Sequence, residues 1–445
     1  GALPIEATLG DVRLENGLVI YSDGQTEHRI ENLDVAVEMD SVDDPARVSG
    51  GLQANGETLT FDLRLDSLRG FFEGARTPVN ARFGGDLVAA EFDGAFLESS
   101  DIDFEGFLSL ALTDLQRLSA VAGAALPEGD VFRRFNAEGD VTGSPTQLSF
   151  DNAELAFDDI TATGVVSARL DAARPKLTGE LVIPELDVTP YAAGGEAGAA
   201  PAQPSEAGWS EEPVDLSALR LVDADLSIQA GTLRYGEIEV NNAALEATLE
   251  DGRLTADLSR FNLYSGQGSA RLVANARQGT PSYSLQADLD ALNALPFMQA
   301  AAGFDRLEGI GSLSLDVASQ GASPADIINA LNGQGRFDFS DGAIKGVNLA
   351  RVIRGVQTAL ETGELPQGFG ETEATDFSSL GGTINIADGV AANPDLALLS
   401  PLLRVQGEGS LNLLEQSIDY RLTPCAVADL TGQGGEADLN GVPVP

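Results

Sequence analysis

Glycine pairs are the residues of this chain best suited to gripping an anion, because a bare backbone lets N–H groups approach a phosphate closely. They read Gly266-Gln267-Gly268, Gly309-Ile310-Gly311, Gly333-Gln334-Gly335 and Gly407-Glu408-Gly409, with a looser copy at Gly164-Val165-Val166. A dinucleotide cradle needs a third glycine and a helix N-terminus facing the pyrophosphate. Here Ser or Arg follows, and then apolar residues at every second position, as in Ser269-Ala270-Arg271-Leu272, Ser312-Leu313-Ser314-Leu315 and Ser167-Ala168-Arg169-Leu170. That continuation predicts strand openers in a repeated β architecture and argues against a phosphate loop.

Other chemistry is sparse. His28 is the single histidine, which removes the commonest metal ligand and general base, and its setting in Asp23-Gly24-Gln25-Thr26-Glu27-His28 reads as a solvated turn between strands. Cys425 is the single cysteine, so no intrachain disulfide framework exists. Nucleophile elbows, Walker loops, zinc motifs, Cys-x-x-Cys pairs and calcium loops are absent from the sequence. Facing carboxylates suffice for a glycosidase, but with 69 acidic residues chance pairs are inevitable. Asp43-Asp44, Asp158-Asp159 and Glu211-Glu212 read as solvated turn or linker residues. The expectation is a noncatalytic protein that needs no cofactor and holds no metal.

Charge narrows the partners. With 26 Lys and Arg against 69 Asp and Glu, the formal charge is −43, which excludes a general nucleic-acid binder and disfavours lying flat on an anionic membrane. No stretch is apolar for long enough to span a bilayer, and the start at Gly1 without Met points to a targeting or anchoring segment outside this chain.

The elements that would position a site are strands. Residues 1–191 alternate in short segments between Gly, Asp, Asn and Pro, the pattern of a meandering antiparallel sheet. The clearest segment is Leu59-Thr60-Phe61-Asp62-Leu63-Arg64-Leu65-Asp66, which sends Leu59, Phe61, Leu63 and Leu65 to one face. A short helix is predicted over Thr113 to Val121. Residues 192–213 are rich in Ala, Gly, Pro and Glu and read as a flexible linker or long surface loop, with Trp209 either anchoring its end or exposed for binding. From 214 to 445 the strands resume, among them Tyr283 to Leu289. Two helices interrupt them, one capped by Ser323 and Pro324 and closed by Gly333, the other from Asn348 to Leu360.

The fold class expected is mainly β: an elongated, twisted antiparallel repeat sheet forming an open β groove, with a few short helices. The dry faces are Leu, Val and Ala, with aromatics only 6% of the chain. They suit either a closed two-sheet core or an open groove lined by Leu59, Phe61, Leu63, Leu65, Leu272, Leu313, Leu315, Phe337, Phe339, Leu411 and Leu413. Acyl chains fit such a groove, since hydrating a 16-carbon chain costs on the order of 12 kcal/mol at ~0.8 kcal/mol per methylene.

From Leu216 onward the chain resembles the C-terminal region of the AsmA family. The match is carried by Leu219 to Leu226, Leu263 to Gly268, Phe304 to Gly311, Asp341 to Gly346, Thr375 to Leu380, Ser400 to Val405 and Asp419 to Pro424. The first 191 residues are similar in general style, through Val12 to Gly17 and Ile30 to Leu33. The resemblance implies the periplasmic domain of a bacterial envelope protein, anchored in the inner membrane by an N-terminal helix absent from this chain. It implies phospholipid acyl chains as ligands, lipid transport between inner and outer membranes, and support of outer-membrane homeostasis, on a body similar to bridge-like lipid transfer proteins. The alternative is a noncatalytic structural or assembly factor that contacts outer-membrane or periplasmic proteins through strand edges.

Overall fold

The computed structural model describes residues 10–22, 27–54, 56–98, 102–121, 126, 129–172, 174–192, 208–277, 279–349, 351–352, 369–401, 403–427 and 441–443. The chain is mainly β, with antiparallel strands and short helices as the alternation predicts. It divides into two compact units. The first takes Gly1–Leu186, Pro190–Gly198 and Ser217–Ile228, and the second takes Asp187–Thr189, Ala199–Leu216 and Gln229–Pro445.

The first unit is a meander of β1 (Gly10–Ser22), β2 (Glu27–Met39), β3 (Ala46–Ala54), β4 (Glu57–Leu65), β5 (Thr77–Gly85), β6 (Val88–Phe96), β7 (Phe104–Leu112), β8 (Phe135–Ser144), β9 (Gln147–Phe157), β10 (Ile160–Arg169) and β11 (Lys176–Asp187). Each strand pairs antiparallel with the next. Period-two alternation sorts the faces. Cross-strand partners run Gly50, Phe61, Phe83, Ala90, Leu110, Ala137, Leu155, Ala162 in a single apolar row. The opposite face carries Ser49, Asp62, Arg82 and Glu91 in register, with Arg47 on Asp62 at 2.5 Å and Arg82 on Glu91 at 2.7 Å. The Arg47 hydrogen bond holds the Asp62 carboxyl below its ordinary range.

Helix α1 (Leu68–Phe72) fills the β4–β5 connection and is capped by Ser67, which accepts from the Gly70 N–H at 3.0 Å. Helix α2 (Leu115–Val121) follows β7, and Asp114 accepts from the Arg117 N–H at 3.0 Å. Asp158 is no freely solvated turn residue. Its carboxylate accepts from the backbone N–H groups of Phe132, Arg133 and Arg134 at 2.8–2.9 Å and from the Tyr191 hydroxyl at 3.1 Å, with Tyr191 lying in the short helix α3 (Thr189–Ala192). His28 also departs from the turn expected, because its backbone lies in β2 opposite Tyr21.

Strand β12 (Asp223–Tyr235) changes unit after Ile228. The second unit continues with β13 (Ile238–Glu250), β14 (Arg253–Leu263), β15 (Gly266–Asn275), β16 (Ser282–Asn293), β17 (Leu307–Gln320), β18 (Asn332–Val347), β19 (Phe369–Ala387), β20 (Val390–Leu399), β21 (Leu403–Asn412), β22 (Ser417–Val427) and the short β23 (Gly441–Pro443). From β13 onward each strand again pairs antiparallel with its successor.

Helix α4 (Ala294–Ala302) joins β16 to β17, capped by Asn293 and closed by Gly303 in the left-handed region at φ 64°. Helix α5 (Pro324–Asn329) joins β17 to β18 and has a complete Ser323/Asp326 capping box. Gly333 does not close it, being the second residue of β18. Of the helix predicted from Asn348 to Leu360, residues 350 and 353–360 lie outside the described residues. No helix among the described residues is long and apolar enough to cross a membrane.

Within the linker region, 193–207 lie outside the described residues. Its end is tied to the second unit: the Trp209 indole N–H donates to the Leu413 carbonyl at 2.8 Å, Ser210 accepts from the Ala325 N–H at 3.0 Å, and the Val214 N–H donates to Ala322 at 2.8 Å. Trp209 is therefore an anchor, half-buried.

Candidate functional site

The dry face of the second unit brings together residues far apart in sequence. One cross-strand row runs Ala256, Leu272, Leu285, Val317, Gly333, Ile386, Ala391, Leu411 and Ile418 from β14 to β22. The next runs Leu258, Ala270, Ala287, Leu315, Gly335 and Ile384. A third holds Phe261, Gly268, Leu289, Leu313, Phe337 and Gly382. Two-residue periodicity places these side chains on one face once the register is fixed, with the irregularity between Leu258 and Phe261 in β14 bringing Phe261 onto it.

The face is graded from sealed to open. Phe339, 4% exposed, belongs to a closed cluster with Ala294 of α4, Phe377, Leu380, Leu398 and Val405. Leu313, Leu315 and Phe337 are half-buried. Leu272 is 40% exposed, Leu411 39% and Ile418 71%. Leu413 lies just past β21, half-buried, with its carbonyl taken by Trp209. Leu59, Phe61, Leu63 and Leu65 lie in the first unit, together on the dry face of β4 and all half-buried. Ile384, Ile386, Ile418 and Leu422 share the second unit's face and went unremarked in the sequence. The alternation Ile418-Asp419-Tyr420-Arg421-Leu422 is the signal that marks two of them.

Aromatic rings on these faces sit against glycines of the neighbouring strand, within 3.3 Å of where a Cβ would stand. The directly paired couples are Phe61 on Gly50, Phe104 on Gly143, Phe261 on Gly268, Phe339 on Gly311, Phe377 on Gly342, Phe337 on Gly382 and Tyr420 on Gly409. A glycine without a side chain accepts the ring against its backbone, in space that a Cβ would otherwise occupy. This corrects the reading of the glycine pairs as openers. Gly266 and Gly333 do stand at or beside a strand start, but Gly309 lies inside β17, Gly407 and Gly409 inside β21, and Gly164 inside β10.

One polar knot interrupts the apolar rows. Asn393, buried, donates to the Thr383 carbonyl at 2.6 Å and to Asp395 at 3.1 Å, and receives the Tyr420 hydroxyl. Asp395 in turn accepts from the Thr383 N–H at 2.7 Å and hydroxyl at 2.9 Å. Asn393 and Asp395 of β20 thereby satisfy the Thr383 backbone at the register shift between β19 and β20. The Thr383 N–H, then its hydroxyl, hold the Asp395 carboxyl below its ordinary range, whereas burial pushes the Tyr420 phenol up. A depressed folded-state value means stability that is present above the usual Asp range and lost as pH falls through the depressed one. Asp395→Asn should therefore cost stability near neutral pH and progressively less below about pH 4. Urea unfolding followed against pH checks this, and a cost independent of pH would contradict it.

The arrangement offers a broad apolar surface with polar groups engaged in satisfying the backbone. The AsmA family model matches residues 106–396. Over 339 residues the chain is 24% identical to Protein AsmA of Escherichia coli strain K12, an alignment covering 73% of this chain and 54% of that protein. The chain thus spans about half the length of this relative. No solved structure matches. The family match takes in more than half of the chain, from β7 in the first unit to β20 in the second, so the chain belongs to the AsmA family, and that membership supports an envelope-associated function.

Proposed function

We propose that the chain is a noncatalytic, periplasmic lipid-binding body of an inner-membrane-anchored protein, which holds phospholipid acyl chains on its dry faces and supports lipid passage between inner and outer membranes. The observation that carries this reading is the row from Leu272 to Ile418, apolar across β15 to β22 and open at both flanks. Its contour is roughly 34 Å at ~4.8 Å per strand step, against roughly 15 Å for one leaflet of a ~30 Å hydrocarbon layer.

Leu272→Asp combined with Leu411→Asp tests it, since both positions are exposed enough for a carboxylate to keep its water. Native mass spectrometry should find phospholipid on the gently purified protein and at least about ten-fold less on the double variant, with unfolding midpoints alike. Wild-type protein recovered without lipid would sink the reading.

A second reading, an assembly role through protein contacts, is favoured by β1, where Val12, Leu14, Leu18 and Ile20 are 44–52% exposed. Crosslinkers placed along β1 would then capture specific envelope proteins, and charges at Leu272 and Leu411 would be harmless.

A further inference from the structure

Given acyl chains on the dry face of the second unit, their headgroups must lie where that face meets water. One end of the strands is shut: Phe339, Leu380, Leu398 and Val405 are 3–7% exposed beneath Ala294 of α4. At the other end α5 and the Trp209 segment cover the middle of the rim, and Leu272 on one side and Leu411 and Ile418 on the other stay exposed.

That open rim is fringed by carboxylates. Glu250 and Asp251 stand at the β13–β14 turn, Asp388 at the β19–β20 turn, Glu415 at the β21–β22 turn, and Glu211 and Glu212 on the segment pinned by Trp209, all exposed. Among the described residues two cations stand at this end of β14 and β15, and both face Glu250. Arg277 donates to the Glu250 carboxylate at 3.0 Å and to its carbonyl at 3.1 Å, while Arg253 is the direct cross-strand partner of Glu250. Lys345 sits at the shut end and is bound to Glu308 at 2.5 Å.

On the acyl-chain reading above, we propose that this rim selects lipids by headgroup charge: it takes zwitterionic phospholipids whose headgroup carries an ammonium, and rejects anionic ones. A phosphodiester brings one negative charge into a fringe of like charge. Phosphatidylethanolamine adds an ammonium that can donate to Glu415, Glu211 or Glu212, whereas phosphatidylglycerol adds only hydroxyls. Charges within a Debye length, about 8 Å at physiological salt, feel one another directly, so a headgroup beside the exposed leucines senses these side chains more than the distant bulk of the chain's charge.

The test is competitive loading of the 445-residue chain. Protein is incubated with vesicles of equimolar phosphatidylethanolamine and phosphatidylglycerol carrying identical acyl chains, re-isolated, and its bound lipid counted by native mass spectrometry. At ~50 mM salt, phosphatidylethanolamine should exceed phosphatidylglycerol by about five-fold, and the ratio should shrink toward one as salt rises to ~0.5 M. The variant Glu211→Lys/Glu212→Lys/Glu415→Lys should bring the ratio to parity or invert it. Equal or phosphatidylglycerol-rich loading of the wild type at low salt, or a ratio insensitive to salt, overturns headgroup selection and leaves acyl binding standing. Failure to load either lipid overturns both. The wild-type ratio and its salt dependence decide the matter even where the triple variant does not fold.

Discussion

Phe339→Ala should lower the unfolding free energy of the second unit by about 3–5 kcal/mol, the range for emptying a sealed aromatic site. The ring is 4% exposed and packs with Ala294, Phe377, Leu380, Leu398 and Val405 while covering Gly311. Removing it leaves a void bounded by helix α4 on one side and by a strand without a side chain of its own on the other, so neither neighbour can close the gap cheaply. Leu411→Ala, on the same face but 39% exposed, should cost below about 1 kcal/mol. Urea unfolding read by tryptophan fluorescence separates the two, because Trp209 is the chain's single tryptophan and belongs to this unit. Equal effects at Phe339 and Leu411 would mean that the face is uniformly open or uniformly closed, contrary to the gradation described.

The second large effect is expected at Gly268. A Cβ there would lie 2.6 Å from Leu289 Cδ2 and 2.8 Å from the Phe261 ring, both buried, so valine has nowhere to go without pushing strands β14 and β16 away from β15. Overpacking of this kind costs about 1–3 kcal/mol, and Gly268→Val belongs at or above the top of that range because two neighbours must move together. Gly335→Ala is the matched comparison. It lies in another of the glycine pairs, but its added methyl would meet the Ser314 carbonyl at 3.4 Å and Leu315 at 3.5 Å, ordinary contact distances. It should be close to neutral. Thermal unfolding of the two variants side by side measures the difference.

These contrasts show where sequence reading succeeds and where it stops. The segment Leu59 to Leu65 announces its strand because its period is local, and β4 covers it from Glu57. The capping residues Ser323 and Pro324 announce α5 for the same reason. Phe337 and Phe339 cannot be told apart that way: they are two residues apart on one strand and face, but Phe339 is sealed and Phe337 half-buried. Phe339 belongs to the closed cluster that includes Ala294 of α4, whereas Phe337 only packs against that cluster, and no local pattern encodes the distinction. The glycine pairs fail as openers for a related reason. Gly266 and Gly409 look alike in sequence, but Gly409 is a mid-strand position chosen by Tyr420 opposite it. That relation is set by register between strands. Gradation of the dry face, the feature on which lipid access depends, likewise comes from which connection folds back over which row.

Pairing of each strand with the one just before it has a consequence for how such a molecule is made and how it changes. In β1 to β11, and again in β13 to β23, no partner has to be awaited from a remote part of the chain. A polypeptide emerging amino end first can zip hairpin onto hairpin, carrying its unsatisfied edge along as a growing tip, which keeps loop closure short for an all-β molecule. The same rule makes length adjustable. Inserting or deleting one hairpin within a unit shifts every later strand along by a step and rewrites pairings only at the splice, so a sheet of this kind can be retailored in reach by the addition or loss of single rungs.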